Sequence, residues 1–194
     1  MRSFIAISFP EELKEVLAGI QQELKQSRAD VKWVKPENIH LTLKFLGEIK
    51  EDLAEKICSV IKKIAQENSS FNLELSGLGA FPKLDSPRVI WLGIDNDRQI
   101  VKIAGELEKE MQCLGFAPEA RRFSSHITLG RARSALNRPA LVEQVKSLNQ
   151  KVSSLKAGCS VERLTLFKST LTPSGPIYEV ICEAFLTGSD PNGV

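Results

Sequence analysis

Two stretches of this chain share one four-residue frame. They are His40-Leu41-Thr42-Leu43 and His126-Ile127-Thr128-Leu129, and together they use both histidines in the sequence. Polar and apolar residues alternate in each, which is the period of a half-buried strand. The imidazole and the hydroxyl then project from one face, and the apolar residues anchor the other. A strand of this kind recurring in corresponding parts of the two halves restricts the fold to two related sheets that share a cleft.

The remaining periodicities supply elements for such a pair. Residues 3–9 alternate as a strand that ends at Pro10, and over 11–27 Leu13, Val16, Leu17, Ile20 and Leu24 share one helical stripe. A short strand at 31–34 and a turn at 36–38 lead into the first frame's strand, 39–46, closed by Gly47. Residues 51–66 carry a second stripe in Leu53, Ile57, Val60, Ile61 and Ile64. Strands follow at 71–78 and 88–94, then a helix at 97–114 stopped by Gly115. The second frame's strand spans 123–132. A helix at 138–149 and two strand-rich stretches at 159–168 and 177–186 complete the chain. The order approximates strand, helix, strand, strand, helix, strand, strand, repeated twice.

The fold class expected is α+β: two pseudo-symmetric lobes of antiparallel sheet with outer helices around a central cleft. No linker separates the halves, so 1–187 reads as a single bilobal domain. Residues 188–194 read as a flexible tail.

Charge and cysteines narrow the function classes. With 26 Lys and Arg against 24 Asp and Glu, the net charge of +2 excludes generic coating of nucleic acid and leaves only a local basic patch. No apolar run reaches membrane-spanning length, and Met1-Arg2-Ser3-Phe4-Ile5 lacks the features of a signal peptide. Cys58, Cys113, Cys159 and Cys182 contain no Cys-x-x-Cys pair, which argues against a zinc site. Reduced, mostly buried thiols in a cytoplasmic protein are expected.

Histidine has the side chain whose ordinary pKa lies nearest physiological pH, so a symmetric pair suits one proton donor and one acceptor. Two residues along a strand span about 6.5–7 Å, so each threonine hydroxyl reaches an oxygen of a group held between the imidazoles. Two imidazoles and two hydroxyls around one centre match a phosphodiester. A lone His-x-Thr in a strand is ordinarily a packing feature; two identical frames that use every histidine reverse that reading. No carboxylate or cysteine shares either frame, so no metal and no cofactor is expected.

With their surroundings, these frames resemble the two-histidine phosphoesterases, specifically the 2′-5′ RNA ligase (RNA 2′,3′-cyclic phosphodiesterase) family. The resemblance is carried by residues 2–7, by the run from Trp33 through Pro36-Glu37-Asn38-Ile39-His40 to Gly47, by 87–93, and by Ser125 to Arg131. Pro176-Ile177-Tyr178 fits more loosely. It implies hydrolysis of a terminal 2′,3′-cyclic phosphate on RNA to a 2′-phosphate, and 2′-5′ joining of tRNA halves; independence of metal, a monomeric state and no membrane partner are expected beside it. It also implies that His40 is the proton donor, that His126 is the acceptor, and that Thr42 and Thr128 hold the phosphate.

A basic residue follows the second frame in that family, and both Arg131 and Arg133 are available here, with Arg131 favoured by its offset. Strict alternation puts both behind the His126 face, so a bulge or a strand end is required. Lys44, on the His40 face by alternation, and Tyr178 are further candidates for substrate contact. Phe45 is a candidate for base stacking, but alternation opposes it to His40 and favours core packing. Two other readings stay open: a phosphodiesterase for small cyclic nucleotides, and a binding module without catalysis.

Overall fold

In the computed structural model, which describes residues 1–188, the amphipathic stripes and alternating runs become helices backing two sheets. The elements are β1 (Arg2–Ser8), α1 (Glu11–Lys25), β2 (Val31–Trp33), a 3-10 turn (Pro36–Asn38), β3 (His40–Glu48), α2 (Glu51–Gln66), β4 (Phe71–Phe81) and β5 (Val89–Asp95). They continue with α3 (Arg98–Cys113), β6 (His126–Ala132), α4 (Arg138–Ser154), β7 (Gly158–Val161), β8 (Arg163–Thr172) and β9 (Gly175–Phe185).

The strands form two antiparallel sheets with the orders β3-β1-β8-β9 and β2-β6-β5-β4-β7. Helices α2 and α3 back the first sheet and α4 backs the second, with α1 packed on α4. Leu17 and Leu24 of α1, Ile57 and Ile61 of α2, and Ile103, Leu107 and Met111 of α3 are fully buried in one continuous core. Each such side chain contributes about 1.5–3 kcal/mol on burial. Glu11 and Glu12 open α1, and Glu51 and Asp52 open α2, where carboxylates complement the exposed N–H groups of the first turn.

The lobes are not the two halves of the sequence. The first frame's sheet borrows β8 and β9 from the C-terminal end, and the second frame's sheet takes β2 from the N-terminal third. The expected order therefore does not repeat. After β5 the chain runs helix, strand, helix, strand, strand, strand. The two C-terminal stretches become three strands because the chain crosses from one sheet to the other at Glu162. β4 continues to Phe81, and α4 runs on to Ser154. Gly47 does not close β3 but sits within it at φ +69°, a conformation that favours glycine. Of the expected tail, residues 189–194 lie outside the described residues. Gly188 is tied down, its N–H donating to the Asn68 carbonyl at 3.0 Å.

The cysteines overturn a further expectation. Cys58 of α2 and Cys182 of β9 form a disulfide across 124 residues of sequence, with Cα atoms 6.2 Å apart. Linear spacing carried no hint of this, since α2 comes to lie on β9 only through the crossover. The pairing removes the argument from free thiols that favoured a reducing compartment. Cys113 is exposed, and burial pushes the half-buried Cys159 thiol up to about 11. No described helix is long and apolar enough to cross a membrane.

Candidate active site

The two sheets meet where β3 runs beside β6, and each of these strands carries one frame. In β3, Ala6 of β1 lies opposite Thr42 and Ile5 lies opposite Lys44, so Leu43 has no partner. In β6, Trp91 of β5 lies opposite Thr128 and Ile90 lies opposite Gly130, so Leu129 has no partner. The leucine of each frame is thus a β-bulge, and alternation resets after it.

This reset decides where the neighbouring candidates go. Residues at +4 from each histidine, Lys44 and Gly130, turn inward, and residues at +5, Phe45 and Arg131, turn onto the imidazole face. Arg131 therefore shares the His126 face, opposite Val89. Phe45 is not a core residue: it is 60 % exposed and stands opposite Phe4, whose ring packs on His40 at 4.7 Å between centroids. Lys44 does not face the cleft. It is buried, and its Nζ donates to Glu108 Oε2 at 2.6 Å. Arg133 follows the end of β6 with its side chain exposed, and its N–H donates to the Asp30 carbonyl.

Both imidazoles are held in the same way. Nδ1 of His40 lies 2.8 Å from the carbonyl of Asn38, and Nδ1 of His126 lies 2.8 Å from the carbonyl of Ser124, in each case two residues upstream. A carbonyl only accepts, so both Nδ1 atoms carry hydrogen and both Nε2 atoms are left for chemistry. His40 Nε2 is already 3.0 Å from Thr42 Oγ1. Asn38 is in turn fixed by its side chain, whose Nδ2 donates to the Pro176 carbonyl at 2.9 Å.

Each imidazole also has an aromatic seat. Around His40 stand Phe4, Phe167 at 6.4 Å and Tyr178 edge-on at 5.4 Å; around His126 stand Phe81 edge-on at 5.1 Å and Trp91 at 6.5 Å. Burial lowers the His40 pKa, and the hydrogen bond to Asn38 opposes this only in part. Burial raises the Tyr178 pKa, against the pull of the Arg131 and Arg2 charges. Arg131, on the second lobe, thereby acts on the hydroxyl of the tyrosine whose ring stands edge-on to His40. Among the described residues no group of three or more His, Cys, Asp or Glu side chains is placed to hold a metal ion.

Several residues that shape the site were not among the candidates. Gln21, on the buried stripe of α1, donates from Nε2 to the carbonyls of Val34 and of the bulged Leu129, both at 2.8 Å. The Val34 N–H donates to the same Leu129 carbonyl at 2.9 Å. A glutamine amid apolar stripe positions was the visible signal. Phe4 and Phe167 carried none, because their roles depend on β1 and β8 pairing across the chain.

The family model of LigT-like phosphoesterases matches this chain twice in succession, over residues 7–91 and 92–178. An RNA 2′,3′-cyclic phosphodiesterase of Methanothermobacter thermautotrophicus is 36% identical over 179 residues, covering 92% of this chain and 95% of the relative. One from Thermotoga maritima is 35% identical and covers 97% of each. Among solved structures, Escherichia coli LigT complexed with 3′-AMP superposes with a TM-score of 0.78 at 26% identity, covering 96% of this chain and 98% of that one. A Thermus thermophilus protein, TT0787, superposes with a TM-score of 0.80 at 26% identity, covering 98% and 100%.

Proposed function

This chain belongs to the LigT-like phosphoesterase family, and on that premise we propose that it hydrolyses a terminal 2′,3′-cyclic phosphate on RNA to a 2′-phosphomonoester by His/His acid–base catalysis. The matched relatives named for this activity support the substrate. The observation that carries the mechanism is the matched pair of Nδ1 anchors, which leaves both Nε2 atoms for proton transfer, that of His40 beside the Thr42 hydroxyl.

His126 takes a proton from water as the water attacks phosphorus. His40 gives a proton to the 3′ oxygen as that P–O bond breaks, so the protons balance and the 2′ ester remains. Thr42 and Thr128 donate to the non-bridging oxygens, and Arg131 neutralises the charge that builds on them. Tyr178 lines the His40 side, and Phe45 offers an exposed ring to the terminal base. A 5′-hydroxyl in place of water gives a 2′-5′ linkage by the same steps, which would join tRNA halves. The test is incubation with an RNA ending in a 2′,3′-cyclic phosphate, in EDTA, followed by product analysis. Formation of a 2′-phosphate supports the reading; no turnover, or turnover only with an added divalent metal, sinks it.

Two expectations follow for the machinery. Thr42→Val and Thr128→Val keep the β-branched shape and remove only a hydroxyl, so each is expected to lower kcat/KM by about 10–10³-fold without unfolding the protein. Unchanged kinetics in both would reduce the threonines to strand fillers. The pH profile of kcat/KM is expected to be bell-shaped, with its maximum midway between the two pKa values of the pair. Burial at His40 disfavours its charged form, which lowers the mean of the pair's two values and so moves the maximum toward acid. A flat profile from about pH 5 to 9 with chemistry rate-limiting contradicts paired proton transfer.

A further inference from the structure

A groove of about 390 Å³ runs from His40 and Tyr178 to the turn before β3, and its lining beyond those two residues does not include Thr42 and has no role in the steps above. One wall is apolar: Phe167 and Val180 lie opposite each other on β8 and β9. Val180 shares the Tyr178 face, and Ile181 next to it is unpaired in the ladder. Val180 is 55% exposed, with no described residue covering it. The other wall is the turn before β3, with Lys35, and Lys14 from α1. Asn38 spans the two walls through its bond to Pro176. Glu37 is the groove's one carboxylate, Lys14 is paired with Glu11 at 3.6 Å, and Lys35 has no carboxylate partner among the described residues. The groove is therefore apolar on one side and cationic on the other, the two properties that bind a nucleotide base and a phosphate.

The covalent order of a ribose says which nucleotide this is. In an in-line displacement the leaving 3′ oxygen lies on the donor's side of phosphorus and the water lies on the acceptor's side. Around the ring, C4′, which carries C5′, adjoins C3′, while C1′, which carries the base, adjoins C2′. Along the first lobe the order is groove, His40, Thr42, Phe45. With the 3′ oxygen at His40, the 2′ side and the base lead toward Phe45, and C5′ leads into the groove. We infer that the groove beyond His40 binds the nucleotide preceding the terminal one in the RNA strand, with its bridging phosphate at Lys35 and its base against Phe167 and Val180. This inference rests on the proposed hydrolysis and on His40 as donor.

Three substrates test it: a nucleoside 2′,3′-cyclic phosphate with a 5′-hydroxyl, the same with a 5′-phosphate, and a dinucleotide ending in the cyclic phosphate. For the unaltered protein, kcat/KM is expected to rise about tenfold or more from the first substrate to the third, mainly through KM, as one phosphate contact and one base contact are added. Lys35→Ala is expected to cancel the gain from the 5′-phosphate. Val180→Ser is expected to cancel only the further gain of the dinucleotide. Both are expected to stay within about twofold on the 5′-hydroxyl nucleotide, which does not reach the groove. Turnover of all three substrates at one rate, or variants that keep the full preference, overturns the groove assignment and leaves the hydrolysis standing. No turnover of any of them overturns the hydrolysis itself. A concentration-dependent dimer lost in Val180→Ser, with the preference intact, assigns the surface to a second copy and overturns the proposal.

Discussion

His40→Ala is expected to lose about 10²–10⁴-fold in kcat/KM on a 2′,3′-cyclic phosphate and to regain most of it when sulfur replaces the 3′ bridging oxygen. The 3′ alkoxide is a poor leaving group and needs the proton that His40 Nε2 supplies. A thiol, with a pKa of about 8.5 in cysteine, is far more acidic than an alcohol and leaves as a thiolate without that help. His126→Ala is expected to be impaired on both substrates, because the attacking water still lacks a base. Single-turnover rates for the four combinations make the measurement. Rescue in His126→Ala instead of His40→Ala would exchange the two roles. Rescue in neither would mean that proton donation to the leaving atom is not what limits the rate.

This experiment matters because the two sites are built alike. Both imidazoles carry the Nδ1 hydrogen, both are anchored to a carbonyl two residues upstream, and both stand two residues before a threonine and three before a bulged leucine. What differs is the surroundings. His40 is ringed by Phe4, Phe167 and Tyr178, and burial lowers its pKa. Arg131 stands five residues after His126, where Phe45 stands after His40.

Much of this was legible in the chain. The frames, the strand face they share and the helical stripes follow from local periodicity, and local periodicity survives folding. The exceptions each depended on something non-local. Strand exchange between the lobes is a matter of which β-strands pair across 97 residues or more, as Trp33 does with Gly130, and no residue encodes that alone. The Cys58–Cys182 disulfide is a consequence of the same crossover. The bulges at Leu43 and Leu129 reversed the placement of Phe45 and Lys44 and brought Arg131 round, because one unpaired residue flips every side chain after it. The need for a bulge at Arg131 was apparent from its offset. The same logic applied to the first frame, where Lys44 and Phe45 each looked acceptable without one.

Lys44→Met is expected to destabilise the protein by about 3 kcal/mol at neutral pH, the lower end for breaking a buried pair, because Glu108 keeps some solvent and two other donors. The bulge at Leu43 carries the ammonium inward to face Glu108 Oε2 at 2.6 Å, on the core side that Gly130 occupies in the second frame. Glu108 also accepts the N–H of Glu119 at 2.9 Å, so the pair ties the first frame's strand to the loop that carries Ser124, the residue anchoring His126. Burial pushes the Glu108 carboxyl up, but the bonds from Lys44, Glu119 and Gln112 outweigh it and hold the pKa below the ordinary carboxylate value. A depressed carboxylate contributes stability that is complete above the ordinary carboxylate range and is lost as pH falls through the lowered value. The gap between unaltered protein and variant, read from urea unfolding, is therefore expected to be largest near neutrality and to narrow in acid. Lys44→Met with Glu108→Gln keeps an acceptor for Glu119 and removes the stranded charge, so it is expected to recover most of the loss. A gap that stays constant down to about pH 3, or a double variant as unstable as the single one, would mean that the loss comes from packing around the lysine stem and not from the charge left unpaired.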